Sequence, residues 1–204
     1  MIDSALITAL SFADARYELP DGGQWAELVR GRVELLTPPE EEHRLVVFNL
    51  SKALGVYLSE FREGYPVFDL GLIVSWNPDT VRFPAISYFI GGEMFAEGDK
   101  SMTDTRPALI VEVMSSNDRR RSLNDRIYEY DRWGVEVLWI VDPIDRAVHI
   151  IRPGYNNKSL RDDEALCGSS VWRHKATAKP ILPEFKMAVA GLFAVPEYWQ
   201  PSAE

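Results

Sequence analysis

The chain has 204 residues, enough for one domain with a real core over residues 1–204. Its 22 basic and 31 acidic residues leave a net charge of −9, which argues against broad nonspecific adhesion to nucleic acid but not against a local basic groove. No apolar stretch approaches the length of a membrane span, no basic residue precedes Arg16 as a secretory start would need, and the single Cys167 can form no internal disulfide, so a cytoplasmic protein is expected.

Residues 26–29 and 33–36 read as two short strands around the turn Arg30-Gly31-Arg32, which predicts a hairpin. Thr37-Pro38-Pro39 ends it. Glu40, Glu41 and Glu42 then give an acidic first turn suited to the positive end of a helix that runs to about Phe61. Its buried stripe is Val46, Val47, Leu50, Ala53, Leu54 and Tyr57, at the three-and-four spacing of an amphipathic helix. His43 lies one turn earlier on the same side. With neither His149 nor His174 at ligand spacing from it, it reads as a core-edge residue.

Residues 67–74 and 81–89 read as two strands that pair as neighbours, joined through the turn signature Asn77-Pro78-Asp79. A loop rich in glycine and charge, 91–105, leads into the apolar run 108–114, a buried strand. Residues 122–133 read as a helix with Leu123, Ile127 and Tyr130 inward and Gly134 stopping it. Residues 135–141 and 147–151 make a second hairpin across Asp142-Pro143-Ile144-Asp145. The segment 154–179 carries no clear pattern, and 188–193 makes a short closing helix before a proline-containing tail. This order predicts an α/β fold, a central mixed sheet flanked by helices.

Glu112 stands out because it interrupts an apolar run, Ala108-Leu109-Ile110-Val111-Glu112-Val113-Met114. An unpaired charge buried there costs on the order of several kcal/mol unless a cation or donors meet it. It shares a strand face with Ala108, Ile110 and Met114, and a metal ion or a basic side chain should stand opposite. The densest positive stretch, Arg119-Arg120-Arg121 followed by Arg126 and Arg132, is either a basic groove or a solvated helix start. No phosphate-cradling glycine loop, nucleophile elbow or paired-cysteine zinc spacing occurs. In metal-assisted phosphodiester hydrolysis, carboxylates on adjacent strands hold Mg²⁺ and a nearby cation steadies developing charge; Glu112 and Arg126 suit two of those posts.

Four blocks carry a family resemblance. They are Glu27-Leu28-Val29-Arg30-Gly31-Arg32-Val33-Glu34 with Thr37-Pro38-Pro39 and His43, then Val81-Arg82-Phe83-Pro84, then Leu109-Ile110-Val111-Glu112-Val113-Met114-Ser115, then Gly134-Val135-Glu136-Val137-Leu138-Trp139-Ile140-Val141-Asp142-Pro143. Over residues 17–153 the chain resembles the Uma-two family, bacterial proteins described as restriction endonucleases of the PD-(D/E)xK nuclease fold. The resemblance implies a restriction endonuclease-like fold, DNA as substrate and Mg²⁺ or Mn²⁺ as cofactor. It also implies Glu112 and Glu27 as metal-binding and catalytic acids, with Arg126 at the position of the family's helical lysine.

The family pattern is degenerate in this sequence. Its aspartate after the proline of the second block falls on Ala85, a frequent aspartate after Pro107 falls on Ala108, and another falls on Ser122. Alanine cannot ligate a metal, and a guanidinium that stays protonated cannot act as a base. Replacement acids to consider are Asp79 in the turn and Glu93 or Asp104 in the loop.

Two readings follow. One is a Mg²⁺-dependent endonuclease with Glu112 as ligand, Glu27 as auxiliary acid and Arg126 as electrostatic helper. The other is a catalytically silent relative that binds nucleic acid or a protein partner, in which Glu112 pairs with Arg126 and fixes the helix to the sheet. A homodimer is compatible with either, since two-strand cleavage suits paired subunits.

Overall fold

The computed structural model describes residues 6–114, 117–196 and 199; the start 1–5, Ser115 of the third block and most of the proline-containing tail lie outside the described residues. A short helix α1 (Ala9–Ala15), absent from the expectations above, begins where the Thr8 hydroxyl accepts from Ser11 N–H. The expected hairpin forms from β1 (Ala26–Val29) and β2 (Arg32–Leu35). Its turn residues Arg30 and Gly31 have φ of 51° and 75°, the left-handed pair that a two-residue hairpin loop requires. Helix α2 (Glu41–Glu60) buries Val46, Leu50, Leu54 and Tyr57, with Val47 and Ala53 packed at the margin, as its spacing predicts.

The two strands expected over 67–74 and 81–89 each break in the middle. The first becomes β3 (Tyr65–Phe68) and β4 (Gly71–Ser75), the second β5 (Thr80–Arg82) and β6 (Ile86–Phe89). They still pair as neighbours, β3 with β6 and β4 with β5, both antiparallel, but the two pairs belong to different sheets. The cause is local. Asp69 adopts φ 49°, which turns the first strand, and Pro84 has no N–H to continue the second ladder. Because Phe68 faces Ile86 in register, the Asp69 kink and the Ala85 break lie level with one another.

The remaining elements are β7 (Met102–Thr103), β8 (Leu109–Val113), α3 (Asn117–Trp133), β9 (Val137–Asp142), β10 (Ala147–Ile151), β11 (Lys158–Arg161), β12 (Ala165–Arg173), β13 (Pro180–Ala188) and α4 (Val189–Leu192). Helix α3 starts five residues before the expected 122, so Arg119, Arg120 and Arg121 lie on the helix itself. The patternless stretch 154–179 contributes all of β11 and β12. One sheet runs β2-β1-β5-β4-β7, a second β11-β10-β9-β8-β6-β3, and β12 pairs with β13 alone. Parallel β8 and β9, joined through α3, sit among antiparallel neighbours, so the mixed character is as expected.

Alternation along β8 sorts the core. Leu109, Val111 and Val113 pack toward α2, Tyr88 and Trp139, whereas Ile110 and Met114 pack with Tyr130 and Leu138 on the α3 side. Glu112 has the same parity as Ile110 and Met114 and points at α3. Ala108, just before the strand, falls in the α2-side cluster rather than beside Glu112. Among the described residues no helix is long and apolar enough to cross a membrane.

Candidate functional site

Glu27, Glu112 and Arg126 come together from three elements. Glu27 is on β1 of one sheet, Glu112 on β8 of the other, and Arg126 projects from α3 between them. Arg126 donates from Nη1 to Glu112 Oε1 at 3.0 Å, from Nη2 to Glu27 Oε2 at 2.7 Å, and from Nε to the Ser122 hydroxyl at 3.1 Å. The guanidinium is 1% exposed, Glu27 1% and Glu112 4%. Ser122 thus supplies a neutral acceptor to the arginine.

A second arginine completes the network. Arg82 on β5 donates from Nη1 to Glu27 Oε2 at 2.9 Å and grips Glu129 of α3 with Nε and Nη2 at 2.7 and 3.0 Å. Phe83 N–H donates to Glu27 Oε1 at 3.1 Å, and Tyr130 O–H to Glu112 Oε1 at 2.6 Å. Burial works to raise the Glu27 carboxyl, but Arg126, Arg82 and the Phe83 N–H outweigh it and hold it below the ordinary carboxylate value. For Arg126 burial works to lower the value, and Glu112 and Glu27 carry it well above that of a free guanidinium. Tyr130 is driven well above the usual phenol value by burial and by Glu112, so it stays a donor. Arg82, Glu129 and the Tyr130 hydroxyl are the members that the sequence reading missed. A charge at Arg82 within Val81-Arg82-Phe83-Pro84 was open to the same test that singled out Glu112.

Beside the network lies a cleft of about 600 Å³, lined by Trp25, Glu27, His43, Phe68, Asp69, Ala85 and Arg119 among others. Glu112 and Arg126 do not line it. Trp25 and Phe83, Phe48 and Phe68 give it aromatic walls, and Arg44 and Arg119 give it cations. The Arg119 guanidinium stands 5.9 Å from the Trp25 ring centre and donates to Thr37 O at 3.4 Å. His43 is half-buried at this cleft, a core-edge residue as expected. Burial, with Arg119 and Arg44, pushes its imidazole down to about 4, so it is neutral near pH 7.

The arginine-rich stretch is not one basic stripe. Arg119 is buried at the cleft, Arg120 grips Asp142 at 3.0 and 2.6 Å, Arg126 is buried in the network, and Arg132 lies by Tyr128. Of these five, Arg121 and Arg132 are exposed. Asp79 is a structural acceptor: its carboxylate takes Ala9 N–H at 2.8 Å and Asn77 N–H at 3.1 Å, fastening α1 to the turn. Glu93 and Asp104 are exposed and do not line the cleft.

Two sheets meeting at a helix-borne cation and buried carboxylates, with a cleft alongside, place the chain among restriction endonuclease-like α/β folds. Its structure matches the crystal structure of "a putative nuclease belonging to DUF820" from Anabaena variabilis ATCC 29413 with a TM-score of 0.66, at 17% identity, over 89% of this chain and 96% of that one. The chain belongs to the Uma2 family, described as "Putative restriction endonuclease", whose sequence pattern matches residues 13–189. No curated protein matches it.

The donor set does not fit the divalent cation that such a family implies. Mg²⁺ demands near-octahedral oxygen ligation. Both Glu27 oxygens already accept hydrogen bonds, Glu112 Oε1 accepts two, and Ala85 offers no side-chain oxygen. Of the four oxygens of Glu27 and Glu112, Glu112 Oε2 alone takes no hydrogen bond from the described residues, and among these residues no group of three His, Cys, Asp or Glu side chains is arranged to hold a metal. The space between the two carboxylates is filled by a guanidinium.

Proposed function

We propose that this chain is a restriction endonuclease-family protein in which Arg126 takes the place of the metal, and that it binds nucleic acid without cutting it. The observation that carries this reading is the guanidinium bridging Glu27 and Glu112 at 2.7 and 3.0 Å. A guanidinium holds both carboxylates yet accepts no proton from an attacking water, so Glu27 and Glu112 are partnered without a base. Aromatic walls and the two arginines of the cleft favour nucleic acid over a protein partner.

The test is plasmid cleavage with Mg²⁺ or Mn²⁺, together with calorimetry of metal binding. The unmodified chain should leave the plasmid intact and bind no Mg²⁺. Cutting that disappears in Glu112→Ala overturns the reading.

One observation favours a second reading. Asp69 lines the same cleft as Ala85 and lies level with it across β3 and β6. In that reading the chain is a Mg²⁺-dependent endonuclease with Asp69 as the replacement acid, Glu112 and Glu27 as ligands and Arg126 as electrostatic helper. It expects cutting by the unmodified chain and its loss in Asp69→Asn.

A further inference from the structure

Resting on the metal-free reading above, we infer that the cleft between the hairpin and α2 captures one unpaired nucleotide without a divalent cation. The base lies against Trp25 and Phe68, and the phosphate faces Arg44 and Arg119.

The first support is shape and lining. A volume of about 600 Å³ lies in the range of small-ligand sites and suits a single nucleotide, not a stacked pair. Four aromatic rings line it, with Pro38 and Pro39 at the edge; Phe83 packs under the Arg16 guanidinium and Phe48 against Trp199, which leaves Trp25 and Phe68 as the flat faces. Such surfaces stack bases irrespective of sequence. Phe68 is 41% exposed, so its ring is available to a ligand.

The second support is charge. A metal-dependent cleft presents acids that repel a phosphate until a cation bridges them. In this chain one such acid is replaced by Ala85, and the Glu27 charge is countered by Arg82 and Arg126. With Glu27 tied to Arg82 and Arg126, the remaining charges of the lining are exposed Arg44, buried Arg119 and Asp69, two cations to one acid within a chain of net charge −9. His43 adds no charge near pH 7. The loss of the metal-binding acid and the clamping of Glu27 therefore make the cleft attractive to an anion on its own.

The third support is access. A paired base cannot enter a cavity of this size, so the occupant is a free nucleotide or a nucleotide of an unpaired strand. The two sources share one chemistry, a base carrying a 5′-phosphate.

The experiment is fluorescence anisotropy of a labelled ten-nucleotide thymidine strand in EDTA. Competitors are thymidine 5′-monophosphate, the matching duplex and poly-glutamate. The single strand should bind without metal, and the duplex should compete at least tenfold less well. Competition by the mononucleotide at similar per-unit affinity assigns the site to free nucleotides, and its failure assigns it to strands. Phe68→Ala and Arg44→Glu, both at exposed positions, should each weaken binding about tenfold, the loss of one base stack or one phosphate contact. Ala85→Asp should weaken binding in EDTA by a similar factor, an effect that a merely structural position would not produce, with unchanged circular dichroism as the control.

Absence of strand binding in EDTA overturns the inference. So does binding indifferent to Phe68→Ala and Arg44→Glu, or poly-glutamate competing as well as the strand. Plasmid cutting in Mg²⁺ would instead overturn the metal-free reading and would leave EDTA binding measurable, so the two failures are distinguishable.

Discussion

Replacing Arg126 by methionine removes the charge while keeping a side chain of comparable length. Glu27 would retain Arg82 at 2.9 Å and the Phe83 N–H at 3.1 Å, whereas Glu112 would retain only the Tyr130 hydroxyl. The cost therefore falls mainly on Glu112, a carboxylate 4% exposed with no cation left beside it. Breaking a buried pair by deleting one partner costs about 3–5 kcal/mol, a large share of the roughly 5–15 kcal/mol that holds a domain folded. Urea unfolding at pH 8 followed by circular dichroism should show the midpoint falling with little change in slope. The double variant Arg126→Met with Glu112→Gln should recover at least half of the loss, because the orphaned charge is gone. A loss below about 1 kcal/mol, or a double variant as unstable as the sum of the singles, would refute the idea that Arg126 is the counter-charge of Glu112.

Tyr130→Phe deletes a donor to a charged acceptor and should cost about 1.5–3 kcal/mol, read as a lowered melting temperature. Asp79→Ala strands the buried Ala9 N–H and should cost about 1–3 kcal/mol while leaving strand binding unchanged. On acidification the chain should lose stability in two windows. His43 is neutral in the fold with its value near 4, so the unfolded chain takes up the proton first and stability drops as pH falls from about 6.5 toward 4. Glu27, held below the ordinary carboxylate value, contributes stability present above its unfolded value and lost as pH falls below that. His43→Asn should flatten the upper window in urea midpoints measured against pH and leave the lower one. The pair Ala85→Asp with Arg126→Lys should gain Mg²⁺ binding by calorimetry, since it adds an oxygen ligand and removes the bridging guanidinium.

Periodicity made α2 and α3 legible, though not α1: the stripe from Val46 to Tyr57 and the inward Tyr130 needed only their spacing. Glu112 was legible because a carboxylate in an apolar strand has few outcomes, and Arg126 is the cation it met. The division into two sheets was hidden, because its causes are a positive φ at Asp69 and a missing N–H at Pro84, neither of which disturbs an apolar run. Arg82 stands between Val81 and Phe83 and is as buried as Glu112, so the same reasoning from a charge in an apolar strand would have found it. Helix α3 began early because Arg119 and Arg120 find buried or paired positions that composition alone does not register.

The bridge made by Arg126 also constrains which substitutions the chain can accept. Lysine at 126 alone would offer one compact ammonium where two carboxylates and the Ser122 hydroxyl receive separate donors. Aspartate at 85 alone would set a second acid beside Asp69 in the same cleft. Either substitution alone is expected to lower stability, so the network resists change one position at a time and admits it only where two or more positions change together.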